Sequence, residues 1–450
     1  MGTVFLILFL LAEIALVVLT LTKFKEKTAW MKNRMIIRVI ETVLLLGMIL
    51  IPTTHMKWRF IAALIVLAVR MLIAVIVWLA QHKTVSGLRK KPITIISCVL
   101  SILLIIFTLI PAFLFTNYNG MPTTGEYQVK EASAILVDIN RVDEFEDDGS
   151  YREVPAHFYY PENSEGEFPL VIFSHGAFGY YQSNFSTYAE LVSNGYIVVS
   201  LDHPHHSFFS KDTAGKTVMV DTDFIDSVMG INETTSDEEV YTLSQSWLKL
   251  RVDDENFVLN TIAAAKETCS LSNAWYTENE NLILDILDKI DIESIGLMGH
   301  SLGGAAAVAL GRERKDIDAV IDLDGTMLGE VKSVENGKNV YYSEPYPVPI
   351  LDFTKEIDYN DREQYKNEKG YPYVNEYVTA NAKFSKTVTI SGVGHMDFTD
   401  LPLISPFLAS ILGSGNVDHE DTINTINRIV LNWFNYYLKN EGTLDIQAQY

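Results

Sequence analysis

Four apolar stretches, running from Val4 to Thr22, Ile36 to Ile51, Phe60 to Ala80 and Ile93 to Phe115, occupy the start of the 450-residue chain and restrict what it can fold into. Each approaches the roughly 20 residues that a helix needs to cross about 30 Å of hydrocarbon. Residues 1–115 carry 13 Lys and Arg against only Glu13, Glu26 and Glu41, whereas the other 335 residues carry 22 bases against 54 acids. The chain thus joins an apolar block of net charge +10 to an acidic part of net charge −32. The expected organisation is a four-helix transmembrane block over 1–115, a linker over 116–130 and one globular domain over 131–450.

The first stretch lacks the basic n-region and small-residue cleavage site of a signal peptide, and Lys23, Lys25 and Lys27 follow it, so it reads as a retained helix. Bases are dense in the loop after the first stretch and in the loop before the fourth, while the middle loop holds only Lys57 and Arg59. The positive-inside rule places the two dense loops in the cytoplasm, which leaves everything after Phe115 outside a multi-pass cell-membrane protein. Glu13 and Arg70 fall near mid-span, where an unpaired charge costs about 2.5 to 3.5 kcal/mol, and either pair inside the bundle or are two independently accommodated charges. The acidic part would be repelled by nucleic acid and by anionic lipid surfaces, which argues against either as its main partner. Cys98 lies in an apolar run and Cys269 in the polar half, so no intramolecular disulfide is expected.

After the linker, Ser133–Val137 and Val154–Tyr160 read as strands around the acidic turn Asp143–Asp148. Short apolar runs then recur at Leu170–Phe173, Ile197–Leu201, Ile295–Met298, Ala319–Leu323, Ile350–Phe353 and Thr387–Ile390. Uninterrupted runs of this length suit strands buried on both faces, as a parallel sheet covered by helices requires. The class is α/β, doubly wound and mostly parallel, with helices expected at Asn184–Asn194, Glu255–Lys266, Gly304–Leu310 and Thr422–Leu438. The polar interval 205–244 scatters Phe208, Phe209, Phe224 and Met229 through acidic sequence, and is either a lid or substrate wall or a disordered surface loop.

Gly299-His300-Ser301-Leu302-Gly303 is a Gly-x-Ser-x-Gly sequence between an apolar run and a small-residue helix start, the context of a nucleophile elbow. A serine hydroxyl needs a base within hydrogen-bond reach, and the base needs an acid that fixes its tautomer. With the chain order Ser, acid, His, only His395 and His419 remain as bases. His395 stands among glycines directly after the last expected strand, and His419 lies in an acidic segment, which favours His395. Asp322, Asp324, Asp352, Glu356 and Asp358 are the candidate acids; Asp324, at a strand's end before Gly325, is preferred over Asp322 within that strand. An oxyanion hole is expected from the N–H of Leu302 and, in the His175-Gly176 turn after the first parallel strand, from that of Ala177. His203, His205 and His206 could suggest zinc, but neighbouring histidines seldom reach one ion together, and they are expected to line the strand-end cleft.

These motifs resemble those of the plasma-type platelet-activating-factor acetylhydrolases and their bacterial relatives. The likeness runs through Pro-Leu-Val-Ile-Phe-Ser-His-Gly at 169–176, Ser246-Trp-Leu-Lys-Leu-Arg251, Gly-His-Ser-Leu-Gly-Gly-Ala at 299–305, Asp322-Leu-Asp-Gly325 and Gly-Val-Gly-His-Met-Asp-Phe at 392–398. It implies an α/β-hydrolase fold, Asp324 as the acid, His395 as the base and Ala177 at the oxyanion position. It also implies a serine esterase acting on short or oxidised phospholipid acyl chains or other short-chain esters, without cofactor or metal. The apolar block and the acidic interval Lys211–Glu239 depart from the secreted members of that family. A peptidase or amidase on the same triad and a membrane sensor that keeps the fold without the chemistry are the competing readings.

Overall fold

The computed structural model of the protein describes residues 2–23, 26–232 and 235–450, without the side chains of 357–360 and 363. Lys25, counted above among the loop bases, and the Asp358 side chain lie outside the described residues. The chain forms two compact units: Met1–Gly120 together with Pro402–Ile411, and Met121–Leu401 together with Leu412–Tyr450. The segment 402–411 thus groups with the apolar block, although its sequence reads as part of the globular domain.

In the first unit, helices span Gly2–Thr22, Lys27–Ile49, Ile61–Gln81 and Lys91–Thr108. Among the described residues, three segments, Gly2–Thr22, Lys57–Gln81 and Lys91–Thr108, are long and apolar enough to cross a membrane. The second expected span is helical too, but Lys32, Arg34, Arg38 and Glu41 dilute its apolar character. Side chains such as Leu11, Ile65, Leu72 and Leu103 point outward and are exposed, a distribution that suits lipid rather than water. Polar groups meet inside. Glu13 lies 2.6 Å from Arg38 and 2.9 Å from Arg70, Arg38 lies 2.6 Å from Glu41, and Ser101 bonds both Glu13 and Arg70. All four helices therefore contribute to one buried network, and of the two readings of Glu13 and Arg70 the structure shows the pair.

The second unit is built on a nine-stranded sheet. Its strands are β1 (Val129–Val142), β2 (Tyr151–Pro161), β3 (Phe168–Ser174), β4 (Ile197–Leu201), β5 (Trp275–Tyr276), β6 (Ile290–His300), β7 (Ala319–Leu323), β8 (Ile350–Lys355) and β9 (Ser385–Ile390), in the spatial order β9-β8-β7-β6-β3-β4-β2-β1-β5. Pairings from β9 through β4 are parallel, while β2, β1 and β5 add an antiparallel edge. Every residue of β3, β4 and β7 is buried, as helices on both faces of a parallel sheet demand. The helix Leu302–Glu313 fits against the sheet because Ala305, Ala306 and Ala307 let it approach closely.

Two regions hold more order than their apolar periodicity announces. The helix expected at Glu255–Lys266 runs from Asp237 to Thr268, started by Ser236, whose side chain accepts from the Glu239 N–H. Its buried face holds Arg251, Asp254 and Glu255 among Trp247, Leu248, Val258 and Ile262, so charge interrupts the apolar period. The interval 205–244 is ordered where described: a hairpin pairs Phe209–Lys211 with Thr217–Met219, and a helix follows at Thr222–Gly230. Phe224 of that helix is buried against the His206 and Trp247 rings.

Removing one partner from a buried ion pair strands the other charge, which costs about 3 to 5 kcal/mol. Glu13→Ala and Arg70→Ala should each lower the thermal stability of the detergent-solubilised protein. The double variant should lose less than the sum, by a coupling of about 1 to 3 kcal/mol, because Arg70 no longer faces a missing carboxylate. Strict additivity in the double-mutant cycle would show that the contact carries no energy.

Candidate active site

The turn from β6 into the helix Leu302–Glu313 holds Ser301 at φ 54° and ψ −122°, a conformation that non-glycine residues avoid. The neighbouring glycines make the turn feasible. A Cβ on Gly299 would lie 2.2 Å from the Gly303 carbonyl carbon, and one on Gly303 would lie 2.0 Å from the Ser174 carbonyl oxygen. Ser301 is thereby presented at the start of a helix, whose first N–H groups, that of Leu302 included, have no partner within the helix.

His395 begins a short turn after β9, and its Nδ1 lies 2.6 Å from Asp324 Oδ2. Asp324, just beyond β7, accepts the Lys355 N–H at 3.2 Å on its other oxygen, so both oxygens are committed and the carboxylate has one orientation. The other candidate acids are occupied elsewhere. Asp322 is wholly buried and accepts the Gly325 N–H at 3.0 Å; burial, with the nearby Asp352 and Asp324 charges, holds its carboxyl well above the usual range. Asp352 pairs with Arg362 at 3.1 Å and accepts from Asn375, and Glu356 accepts from Gln449.

His419, the second candidate base, sits 2.8 Å from Asp397. Asp397 in turn accepts the Gly394 N–H at 2.7 Å and the Gly415 N–H at 2.5 Å, bracing the backbone that carries His395. A second brace comes from the elbow itself. Burial holds the His300 imidazole well below its ordinary pKa, so it is neutral, and its Nε2 lies 3.1 Å from the His395 carbonyl oxygen, to which it can donate. Sequence reasoning singles out neither Asp397 nor His300, although both lie inside the serine and histidine motifs.

After β3 the chain turns through Gly176–Gly179, with Gly179 N–H donating to the Gly176 carbonyl oxygen at 3.1 Å and Phe178 at φ 61°. A Cβ on Gly176 would meet His300 Nδ1 at 2.8 Å and Ser301 Cβ at 3.3 Å, so only glycine lets this loop pass beside the serine. Ala177, Ser301, Leu302, Asp324 and His395 line one cavity of about 340 Å³, walled by Val228, Trp247, Ala305 and Leu328. Val228 belongs to the interval 205–244, which therefore supplies part of the cavity wall.

The three histidines after β4 have their partners outside this cavity. His203 is buried between Asp254 and Ser174, at 2.9 Å from each, and burial pushes its pKa down to about 4. His206 stacks on Phe224 at 3.7 Å and His205 on Phe145 at 4.4 Å. These contacts correct their expected place in the cleft. Among the described residues no three His, Cys, Asp or Glu side chains gather as a metal site would require.

A doubly wound sheet that ends in a strained serine turn defines an α/β-hydrolase fold. Residues 149–447 match the family described as platelet-activating factor acetylhydrolase, isoform II, and the chain belongs to that family. It is 23% identical over 291 residues to the platelet-activating factor acetylhydrolase of Bos taurus, covering 62% of this chain and 59% of that protein. Its identity to the Cavia porcellus protein of the same name is 24% over 310 residues, covering 65% and 63%. The match thus spans about three-fifths of the relatives' length. Among solved structures, the fold is shared with a ferulic acid esterase from Streptomyces cinnamoneus, at a TM-score of 0.50 and 18% identity over 72% of this chain and 95% of that one.

Asp324→Asn should lower kcat on an ester substrate by about ten-thousandfold, because an amide cannot hold the imidazole in the required tautomer. Asp322→Asn replaces a carboxyl that burial already keeps neutral and should stay within about tenfold of the parent. Steady-state kinetics on protein titrated for active sites would check both, and the reverse ranking would move the acid to Asp322.

Proposed function

We propose that the protein is a membrane-anchored serine hydrolase that cleaves short-chain carboxylic esters, phospholipid acyl esters among them. The observation that carries this reading is the single cavity in which Ser301, on its strained turn, meets the His395–Asp324 pair and the Ala177 turn. Ser301 Oγ attacks the ester carbonyl as His395 Nε2 takes its proton, and Asp324 stabilises the imidazolium that results. The N–H groups of Leu302 and Ala177 receive the oxyanion. His395 returns the proton to the departing alcohol and leaves an acyl-Ser301, which a water molecule activated by His395 then hydrolyses.

Two features support a short acyl chain. The cavity is small, and Trp247, Leu328 and Val228 stand around it as apolar walls. The relatives that match over the catalytic region are named for release of an acetyl group. Anchoring rests on the three long apolar helices, and an outward-facing catalytic unit rests on the distribution of Lys and Arg among the loops.

The purified full-length protein in detergent should hydrolyse nitrophenyl acetate faster than nitrophenyl decanoate, and Ser301→Ala should abolish turnover of both. Equal rates for parent and variant would refute the esterase assignment. The topology has its own test in Cys269, which is exposed in the catalytic unit. In a Cys98→Ser background, a membrane-impermeant maleimide should label Cys269 in intact cells; labelling only after permeabilisation would put the catalytic unit in the cytoplasm.

A further inference from the structure

Arg251 projects from the helix Asp237–Thr268 into the interior, where its side chain is wholly buried. Taking a guanidinium out of water costs several kcal/mol unless a carboxylate or a set of acceptors replaces the solvent. Here the acceptors are backbone. Nη1 donates to the His175 carbonyl oxygen and lies 3.5 Å from Ser174 Oγ, and Nη2 donates to the Gly176 carbonyl oxygen at 3.4 Å. Among the described residues no carboxylate forms an ion pair with it. Asp254, one turn away, is spent on Arg141 at 2.6 Å, Arg152 at 2.8 Å and His203 at 2.9 Å.

The Gly176 carbonyl belongs to the same peptide unit as the Ala177 N–H. In a planar trans peptide the C=O and N–H point in opposite directions, so whatever fixes the oxygen on one side aims the hydrogen to the other. Three donors converge on this oxygen: the Gly179 N–H at 3.1 Å, His175 Nδ1 at 2.7 Å and Arg251 Nη2 at 3.4 Å. Burial and the Arg251 charge hold the His175 imidazole neutral, and its Nδ1, facing a carbonyl, must carry the proton. Of the three donors only Arg251 is charged.

We propose that Arg251 is a positioning residue for ester hydrolysis, holding the Gly176–Ala177 peptide so that its N–H faces the cavity and setting a positive charge behind that donor. The proposal rests on the esterase reading above and gives it an electrostatic component. A cation at the carbonyl end polarises the amide and makes its N–H a stronger donor, and the effect grows as negative charge develops on the substrate oxygen. Burial pushes the Glu255 carboxyl up, which weakens the nearest negative charge that could offset the guanidinium.

The test uses the full-length protein in detergent, with rates normalised to sites titrated by a fluorophosphonate so that misfolded protein is not counted. Arg251→Met should lower kcat for nitrophenyl acetate by about thirty- to three-hundredfold while KM stays within about threefold. Its affinity for a trifluoromethyl ketone, which forms an oxyanion on Ser301, should fall by the same factor. Arg251→Lys keeps the charge but loses the fork that spans two carbonyls, and should recover part of both losses. An unchanged kcat, a change confined to KM, or a loss of kcat without loss of ketone affinity would overturn the proposal. So would failure of both variants to yield titratable sites, since Arg251 would then be a requirement of folding alone. A parent protein that does not turn over the ester refutes the esterase reading instead, before any variant is compared.

Discussion

Backbone meets backbone where the helix after Ser301 begins, and the rest of the site is arranged around that contact. Gly303 lies so near the carbonyl of Ser174 that a methyl group there would sit 2.0 Å from its oxygen. The contact sets the first turn of that helix on the end of β3, which is also the sheet neighbour of β6, with Ser174 paired to Gly299. Once the two strand ends are locked together, the serine turn and the loop through Gly176 have nowhere else to go. The strained φ of Ser301 is held by the buried helix on one side and by a sheet buried on both faces on the other.

Below this contact lies a layer of buried polar groups that periodicity cannot reveal. Asp254 binds Arg141, Arg152 and His203; His203 meets Ser174; Ser207 links the His203 backbone to the His175 ring. Each such group is costly to bury alone, and together they satisfy one another beneath the turn that carries Ala177. The helix Asp237–Thr268 supplies Arg251 and Asp254 to this layer, and for that reason its buried face does not look apolar in sequence. An apolar period reports only the faces that bury hydrocarbon. A face that buries a polar network is silent, so only the C-terminal part of this helix is legible.

The catalytic candidates are legible for a different reason. Ser301 is marked by glycines that a tight turn requires, and His395 by chain order and by the glycines around it, so local steric rules identify both. Asp324 is harder to pick out, because Asp322 stands two residues away on the same strand end and the alternation of a strand does not say which carboxylate rises above the sheet. The answer lies in the left-handed φ of 54° at Asp324, which ends the strand and turns the chain. Asp397 and His300 flank the marked residues within the same motifs, but His300 bonds backbone 95 residues away and Asp397 reaches Gly415 as well as the nearby Gly394, and no local pattern announces a long-range bond. His419, the rival of His395 in sequence, lies beside Asp397 of the same loop.

The two units bury charge to different ends. In the apolar block Glu13 faces Arg38 and Arg70, and Arg38 also faces Glu41, so the charges balance and the network fixes how four helices meet. Balanced charge of this kind could be replaced, in principle, by apolar side chains of similar volume with little loss. Arg251 differs because, among the described residues, it forms no ion pair of its own and turns its two Nη groups to the carbonyls of a turn. An apolar side chain could fill the same space, but it would leave the His175 and Gly176 oxygens with fewer donors and the Ala177 N–H without a cation behind it. On the proposed reaction, in which an oxyanion forms on the far side of the same peptide, the cost of burying that guanidinium is offset in the transition state and not in the stability of the resting fold.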